Sequence, residues 1–282
     1  MIALLDGDVL VYRVGFAVEK SKYNIYIKGE EHFGAVAVYP YKRDIPDYYT
    51  KDEGCFIEKT KEIEPLANAL HGMREFLQSI IEAVGATSHK IYLTGEGNFR
   101  EQISVTRKYK GNRDPDHKPI YYKELKEYLI NHWGAEVVAG MEADDALGIM
   151  QYTDISKYEY EKKCGDNYTE CWASTIICSI DKDLEQIPGW HYNFVKKEKY
   201  FISEEQGIKN FYMQLLVGDV VDNIQGVKGV GKKTAEKILA NCTTEKEMYA
   251  ACVRAYNNET LLNEMAQLVY IRRIEGEEWQ PP

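Results

Sequence analysis

STIICSIDKD, residues 174–183, is an apolar run that ends in two aspartates one residue apart. A short apolar run rich in β-branched residues reads as a strand buried on both faces. IALLDGD, residues 2–8, repeats the arrangement, with a strand over 2–5 followed by Asp6 and Asp8. HKIYLTG (89–95) and AEVVAG (135–140) add two more strands. Helices separate them. One covers 9–16, and another covers 64–84 with Leu66, Leu70, Met73, Leu77, Ile80, Ile81 and Val84 on one face. A third covers 121–133, and a fourth begins in GMEADDALGIM (140–150). Short strands near 191–195 and 199–202 precede a mostly helical last third. Strands alternating with helices predict an α/β class with a mainly parallel central sheet flanked by helices.

The expected core is 1–202, with insertions at about 18–62 and 153–173 and an irregular basic segment at about 96–120. The first insertion holds one hairpin, YNIYIKG with HFGAVAVYP, and then a polar loop. Residues 203–282 form the expected helical part.

At 282 residues with 44% hydrophobic content, the chain can bury a core and is not of disordered composition. No apolar run approaches the roughly 18 residues of a membrane span. The opening residues lack the basic start of a signal peptide, so a cytoplasmic protein is expected. Six cysteines stand at 55, 164, 171, 178, 242 and 252, with no C-x-x-C pair. Cys164 and Cys171 share one polar segment that suits a disulfide or zinc, but free thiols are the expectation.

Net charge is −10, from 45 acids and 35 bases, which argues against a nucleic-acid partner until the acids are located. Nine of them form four clusters: Asp6/Asp8, Glu142/Asp144/Asp145, Asp181/Asp183 and Asp219/Asp222. Without these nine the chain has 36 acids against 35 bases. Any one cluster reads as a solvated face. In the 140–150 stretch Ala143, Ala146, Leu147 and Met150 share a helical stripe and the acids lie off it. Two clusters, however, directly follow apolar strands, and a third opens the helix after another. Open parallel sheets place their sites at those carboxyl ends. Converging carboxylates repel unless protonated or matched by cations. Oxygen ligands around hard divalent ions suit Mg²⁺ or Mn²⁺, so a one- or two-metal site for phosphoryl chemistry is expected.

Two segments are basic. Residues 100–118 hold six Lys/Arg (Arg100, Arg107, Lys108, Lys110, Arg113 and Lys118) against three acids, with Tyr109 among them. Interleaved bases and an aromatic can hold a single strand by phosphate contact and stacking, and a solvated loop has the same composition. IQGVKGVGKKTAEKIL (224–239) sets Gly226, Gly229 and Gly231 before a helix opened by Lys232, Lys233 and Thr234. With Lys228, these form a candidate clamp on a phosphodiester backbone, because glycines admit close approach and a helix start attracts phosphate. The pattern is not a P-loop.

On the blocks LLDGDVLVYR, NFR…YKGNRD, MEADDALG, SIDKDLEQIPG and GDVVDNIQGVKGVGKKTAEKIL, the sequence resembles the 5′-nuclease family. That family includes flap endonucleases, the 5′-exonuclease domains of bacterial DNA polymerase I and phage 5′–3′ exonucleases, and the phage branch is nearest. The blocks run in family order from residue 2 to about 240. The resemblance implies a PIN-like 5′-nuclease fold with a helical arch or loop and a helix–three-turn–helix at about 215–240. It implies metal-dependent cleavage of DNA near a free 5′ end, leaving a 5′-phosphate. The setting implied is phage replication, recombination or primer removal in a bacterial host's cytoplasm. By position, Asp6, Glu142, Asp144, Asp145, Asp181, Asp183, Asp219 and Asp222 match the family's metal-binding acids. Asp8 stands where a polar uncharged residue is usual. Arg13 matches a basic residue near the scissile phosphate. Tyr109, Lys110 and Arg113 match the arch, and Gly226–Thr234 match the backbone clamp, which in this family often holds K⁺. One departure concerns the second strand, where an aspartate is usual and this chain has Gly95, with Glu96 next as the substitute oxygen donor.

The resemblance implies duplex ends and flaps as substrates, with RNA–DNA hybrids as secondary ones. Rival readings are a PIN-type ribonuclease, against which the glycine clamp argues, and a non-catalytic DNA-binding relative, against which the retained acids argue.

Overall fold

A computed structural model describes residues 1–114, 117–157 and 174–282, with the side chains of 155–157 left aside. The chain opens with β1 (Ile2–Asp6) and α1 (Gly7–Ala17). Residues 18–62 carry β2 (Glu19–Ile27), β3 (Ala37–Tyr39), α2 (Asp47–Thr50) and β4 (Cys55–Ile63). Next come α3 (Leu66–Val84), β5 (Ser88–Thr94), α4 (Phe99–Ile103), α5 (Tyr122–Trp133), β6 (Glu136–Val138) and α6 (Ala143–Lys157). Then follow β7 (Thr175–Cys178), β8 (Gly189–Asn193), β9 (Glu198–Ile202), α7 (Glu204–Val217), β10 (Gly218–Asp219) and β11 (Ile224–Gln225). The last elements are α8 (Lys232–Leu239), α9 (Glu245–Tyr256) and α10 (Glu259–Val269).

These elements divide into two compact units. One comprises Met1–Val9, Leu77–His117 and Lys126–Pro282; the other comprises Leu10–Phe76 and Lys118–Leu125. The smaller unit contains the first insertion together with most of α1 and the first half of α3. Residues 203–282 share a unit with the sheet.

In the larger unit the sheet order is β6-β5-β1-β7-β8-β9, parallel except for the antiparallel β8/β9 pair. Ala3, Leu4 and Leu5 of β1 are wholly buried between β5 and β7, which is why the strand reads as a continuous apolar run. Strand order reverses at β1, so the crevice lies at the carboxyl ends of β1, β5 and β7. The stripe Ala143, Ala146, Leu147 packs with Leu4, Tyr92, Ile177 and Leu184, and Met150 flanks it. Helix α6 thereby lies on the sheet with its first turn at that crevice. α7 to α10 enclose a second core of Phe211, Tyr212, Leu215, Leu216, Leu262, Met265 and Trp279. Capping sets their starts: Ser203 Oγ accepts from Gln206 N, and Thr244 and Glu247 form a capping box. α3 ends at Gly85, whose φ of 65° suits a left-handed cap.

The smaller unit holds a β3-β2-β4 antiparallel sheet. The expected hairpin is present as Tyr23–Ile25 against Ala37–Tyr39. β4, expected as polar loop, pairs along the whole of β2. Its run of Glu, Lys and Thr gave no apolar alternation, and pairing was decided by a partner about 36 residues upstream. Among the described residues no helix is long and apolar enough to cross a membrane. Cys55, Cys178, Cys242 and Cys252 are free thiols, while Cys164, Cys171 and most of the second insertion lie outside the described residues.

Candidate active site

Asp6 ends β1 and is 2% exposed. Its oxygens accept from Val9 N (3.0 Å) and Ser179 Oγ (2.9 Å). Burial, reinforced by the charges of Asp8 and Asp181, pushes its carboxyl up to about 7 despite the bond from Val9. Asp8 accepts from Thr94 N at 2.9 Å, tying α1 to the end of β5. Thr94 Oγ1 in turn accepts from Ala143 N at 3.0 Å and helps to start α6.

Glu142, Asp144, Asp181, Asp183, Asp219 and Asp222 line one cavity of about 190 Å³, with Tyr109, Lys110, Arg113 and Gln214 among its walls. The acids come from the start of α6, the loop after β7, and β10 with the turn after it. They crowd one another. Burial, then the charges of Asp6, Asp181 and Glu142, hold Asp144 well above the usual carboxylate range. Asp181 opens to solvent at the cavity's edge, yet the protein packed around its carboxyl and the charges of Asp222 and Asp219 raise it too. Asp183 is pushed up to about 7 by burial and by Asp181 and Asp219. Asp219 Oδ1 accepts from Val221 N (2.6 Å) and Asp222 N (3.2 Å), which folds the turn that carries Asp222.

Basic and phenolic groups occupy the other side. Lys110 Nζ donates to Glu142 and lies 3.6 Å from Asp222. Arg113 donates to Asp222 Oδ1. The Tyr109 hydroxyl lies 2.9 Å from both Glu142 Oε2 and Asp222 Oδ2. Its ring is buried in the helical core, so the stacking role expected from composition gives way to one of holding two acids. The described part of 96–120 is α4 followed by turns rather than an arch helix. Arg107 and Lys108 are exposed there.

Asp145, expected as a metal ligand, and Arg100, expected on DNA, are instead each other's partners. Arg100 is 2% exposed and Asp145 0%. Nη1 and Nη2 bind the carboxylate at 2.6 and 2.9 Å. Burial alone would raise Asp145, but the bonds and charge of Arg100 hold it below its usual range. Glu96 is exposed and does not line the cavity. A side chain at Gly95 has no room, since its Cβ would stand 2.4 Å from Val138 O. The clamp glycines divide similarly. A Cβ at Gly226 would meet Val217 O at 2.2 Å, so this glycine serves the crossing of β10 and β11; Gly229 and Gly231 face open space. Lys228, Lys232, Lys233 and Thr234 are exposed. Arg13 lies in the smaller unit, its guanidinium 5.4 Å from the Phe76 ring centre.

Ser179, Thr94 and Gln214 were not singled out in sequence. Ser179 links two clusters, donating to Asp6 and accepting from Asp181 N at 3.0 Å. Its place two residues before Asp181 was the available signal.

The donor set suits divalent cations. It consists of carboxylate oxygens, several of them shifted upward by burial and by one another's charge, a condition that a hard cation relieves. Among the described residues no three His, Cys, Asp or Glu side chains already close on a single ion; Glu142 and Asp222 face Tyr109, Lys110 and Arg113.

No protein-family profile matches the sequence. The chain is 29% identical over 181 residues to DNA polymerase I of Bacillus subtilis (strain 168), covering 61% of this chain and 20% of the polymerase. It is 27% identical over 201 residues to a 5′-3′ exonuclease of Buchnera aphidicola subsp. Schizaphis graminum, covering 65% of this chain and 63% of that protein. The chain thus spans about a fifth of the polymerase and somewhat under two thirds of the exonuclease. Among solved structures it resembles the bacteriophage T5 flap endonuclease in a pseudo-enzyme-product complex with DNA and metal ions. That match has TM-score 0.56 and 16% identity, over 95% of this chain and 88% of the other. A second is T5 5′-exonuclease with bound zinc, at TM-score 0.53, 17% identity and the same coverage. These likenesses show the fold, a mostly parallel mixed sheet flanked by helices.

Proposed function

We propose that this chain is a metal-dependent 5′–3′ exonuclease and structure-specific flap endonuclease, hydrolysing DNA phosphodiesters near a 5′ end to leave 5′-phosphates. The observation that carries the reading is the single cavity in which six acids from three separate chain segments meet Tyr109, Lys110 and Arg113. The named relatives and the shared fold support it.

Glu142, Asp144, Asp181, Asp183, Asp219 and Asp222, with Asp6 and Asp8 behind them, would hold Mg²⁺ or Mn²⁺. When bound, two such ions supply hydroxide near neutral pH and offset charge on the attacking and leaving oxygens. The chain's own groups do the rest. Lys110 and Arg113 turn toward the non-bridging oxygens of the scissile phosphate and match the charge that develops there. Tyr109 keeps Glu142 and Asp222 apart at a fixed spacing. Gly229 and Gly231 admit a phosphate to the backbone, Lys228, Lys232 and Lys233 neutralise it, and the same turns are the site for K⁺. A groove lined by Lys182, Lys209 and Lys232 shares Asp183 and Gln214 with the acid cavity. Glu185 and Glu236 line it too, so it offers a path of mixed charge from the cavity to α8. Selection is then by the shape of the DNA end, with binding that weakens with salt.

A 5′-end-labelled flap and an end-labelled duplex, incubated with magnesium or with chelator, test the reading. Short labelled products with magnesium and none with chelator are expected. Cleavage that persists in chelator, or cleavage of RNA in preference to DNA, would replace it.

A further inference from the structure

Residues 268–279 leave α10 and pass behind the acid cavity. Arg100 binds this segment as well as Asp145: Nε donates to Leu268 O (3.0 Å) and Nη2 to Tyr270 O (2.6 Å). Asp145 also accepts from Arg272 N (3.1 Å) and Glu142 N (3.0 Å). On α6 a Cβ at Gly148 would stand 2.6 Å from Arg272 O, so the helix and the segment are in backbone contact. Gln186, three residues past Asp183, donates to Val269 O at 3.0 Å and to Gln214 Oε1 at 2.7 Å. Ile271 is buried with Leu147 and Ile187. The far end is pinned by Trp279, which is 6% exposed and packs on Phe211 and Tyr249.

We infer that residues 268–279 are a positioning strap for the acid cavity, acting through the Arg100–Asp145 pair on Glu142 and Asp144 and through Gln186 on Asp183. The physical need is plain. Carboxylates in one cavity push one another apart, and metal affinity falls if their supports yield. The strap joins two acid-bearing segments, α6 and the loop after β7, to one length of chain, and its Leu268, Val269 and Ile271 also line the cavity. Asp145 is in this view a fixed internal anion that sets the first turn of α6, which explains why it sits beside two cavity acids yet has both oxygens engaged.

The inference rests on the proposed metal-nuclease reading, and the test keeps the two apart. Trp279→Ala and Trp279→Phe are compared with the unaltered chain. Mn²⁺ binding is followed by electron paramagnetic resonance, cleavage by kcat and KM, and folding by circular dichroism and thermal melting. The expected result is that Trp279→Ala stays folded, binds Mn²⁺ about 10-fold more weakly and loses kcat to a similar extent with little change in KM. Trp279→Phe should restore most of both. If Trp279→Ala proves unstable, Gly148→Ala, which presses on Arg272 O from the helix side, takes its place in the same assays. A folded variant with unchanged Mn²⁺ affinity and kcat overturns the strap. An unaltered chain that cleaves nothing, with Mn²⁺ affinity still lowered in the variant, overturns the nuclease reading and leaves the strap standing.

Discussion

The acid cavity and the clamp at 226–234 use charge in opposite ways. In the cavity the acids stand close together, shift one another's protonation, and are held by named donors such as Tyr109 and Lys110. In the clamp Lys228, Lys232 and Lys233 stand in solvent, and among the described residues none forms an ion pair with a carboxylate. Low-dielectric surroundings make each cavity group depend on its neighbours, whereas exposed charges act nearly independently and are screened. Single substitutions in the cavity should therefore be severe and specific, and those in the clamp mild and additive.

The hardest test of that contrast is Asp183→Asn, which should lower kcat on the order of 10³-fold or more while sparing DNA affinity measured by anisotropy. Cleavage at the unaltered rate would remove Asp183 from the metal set. Arg100→Met keeps the volume but leaves Asp145 buried without its cation. It should cost about 3–5 kcal/mol in urea unfolding, and a cost like that of an exposed pair would show that the interior relaxes. Lys110→Ala should slow cleavage by roughly 10²-fold and weaken duplex binding much less; the reverse pattern would move Lys110 from chemistry to positioning. Lys232→Ala and Lys233→Ala should each weaken binding to all DNA sequences alike and lower the salt slope by about 1. Non-additive loss in the double variant would mean that the clamp is not the loose, independent region described.

Stability should also depend on pH. The Asp6 and Asp183 carboxyls lie at about 7 in the folded chain, above the roughly 3.9 of an unfolded aspartate. Between those values the folded state binds more protons, so stability falls as pH rises and levels off above about 7. Metal-free protein should show a melting temperature that declines over that window, with a shallower decline in Asp183→Asn. Equal slopes would mean that the crowding is relieved in solution.

Much of this was legible along the chain. Apolar strands ending in Asp-x-Asp, and α6 with its apolar stripe, are local patterns with local causes, and they predicted the parallel sheet and the edge on which the acids collect. β4 was missed because its polar sequence becomes a strand only beside β2. Asp145 could not be told from Asp144 by spacing, since both are acids in the same first helical turn.

By itself the sequence determined the strands and helices of the central sheet, and that acids stand at the strand ends, because backbone geometry and burial periodicity act over a few residues. Tertiary structure alone decided which acids stay in the cavity and which is locked away, since Arg100 meets Asp145 across 45 residues and Leu268 across 168. Charge pairing follows distance in space, and that distance is set only when the chain has closed on itself.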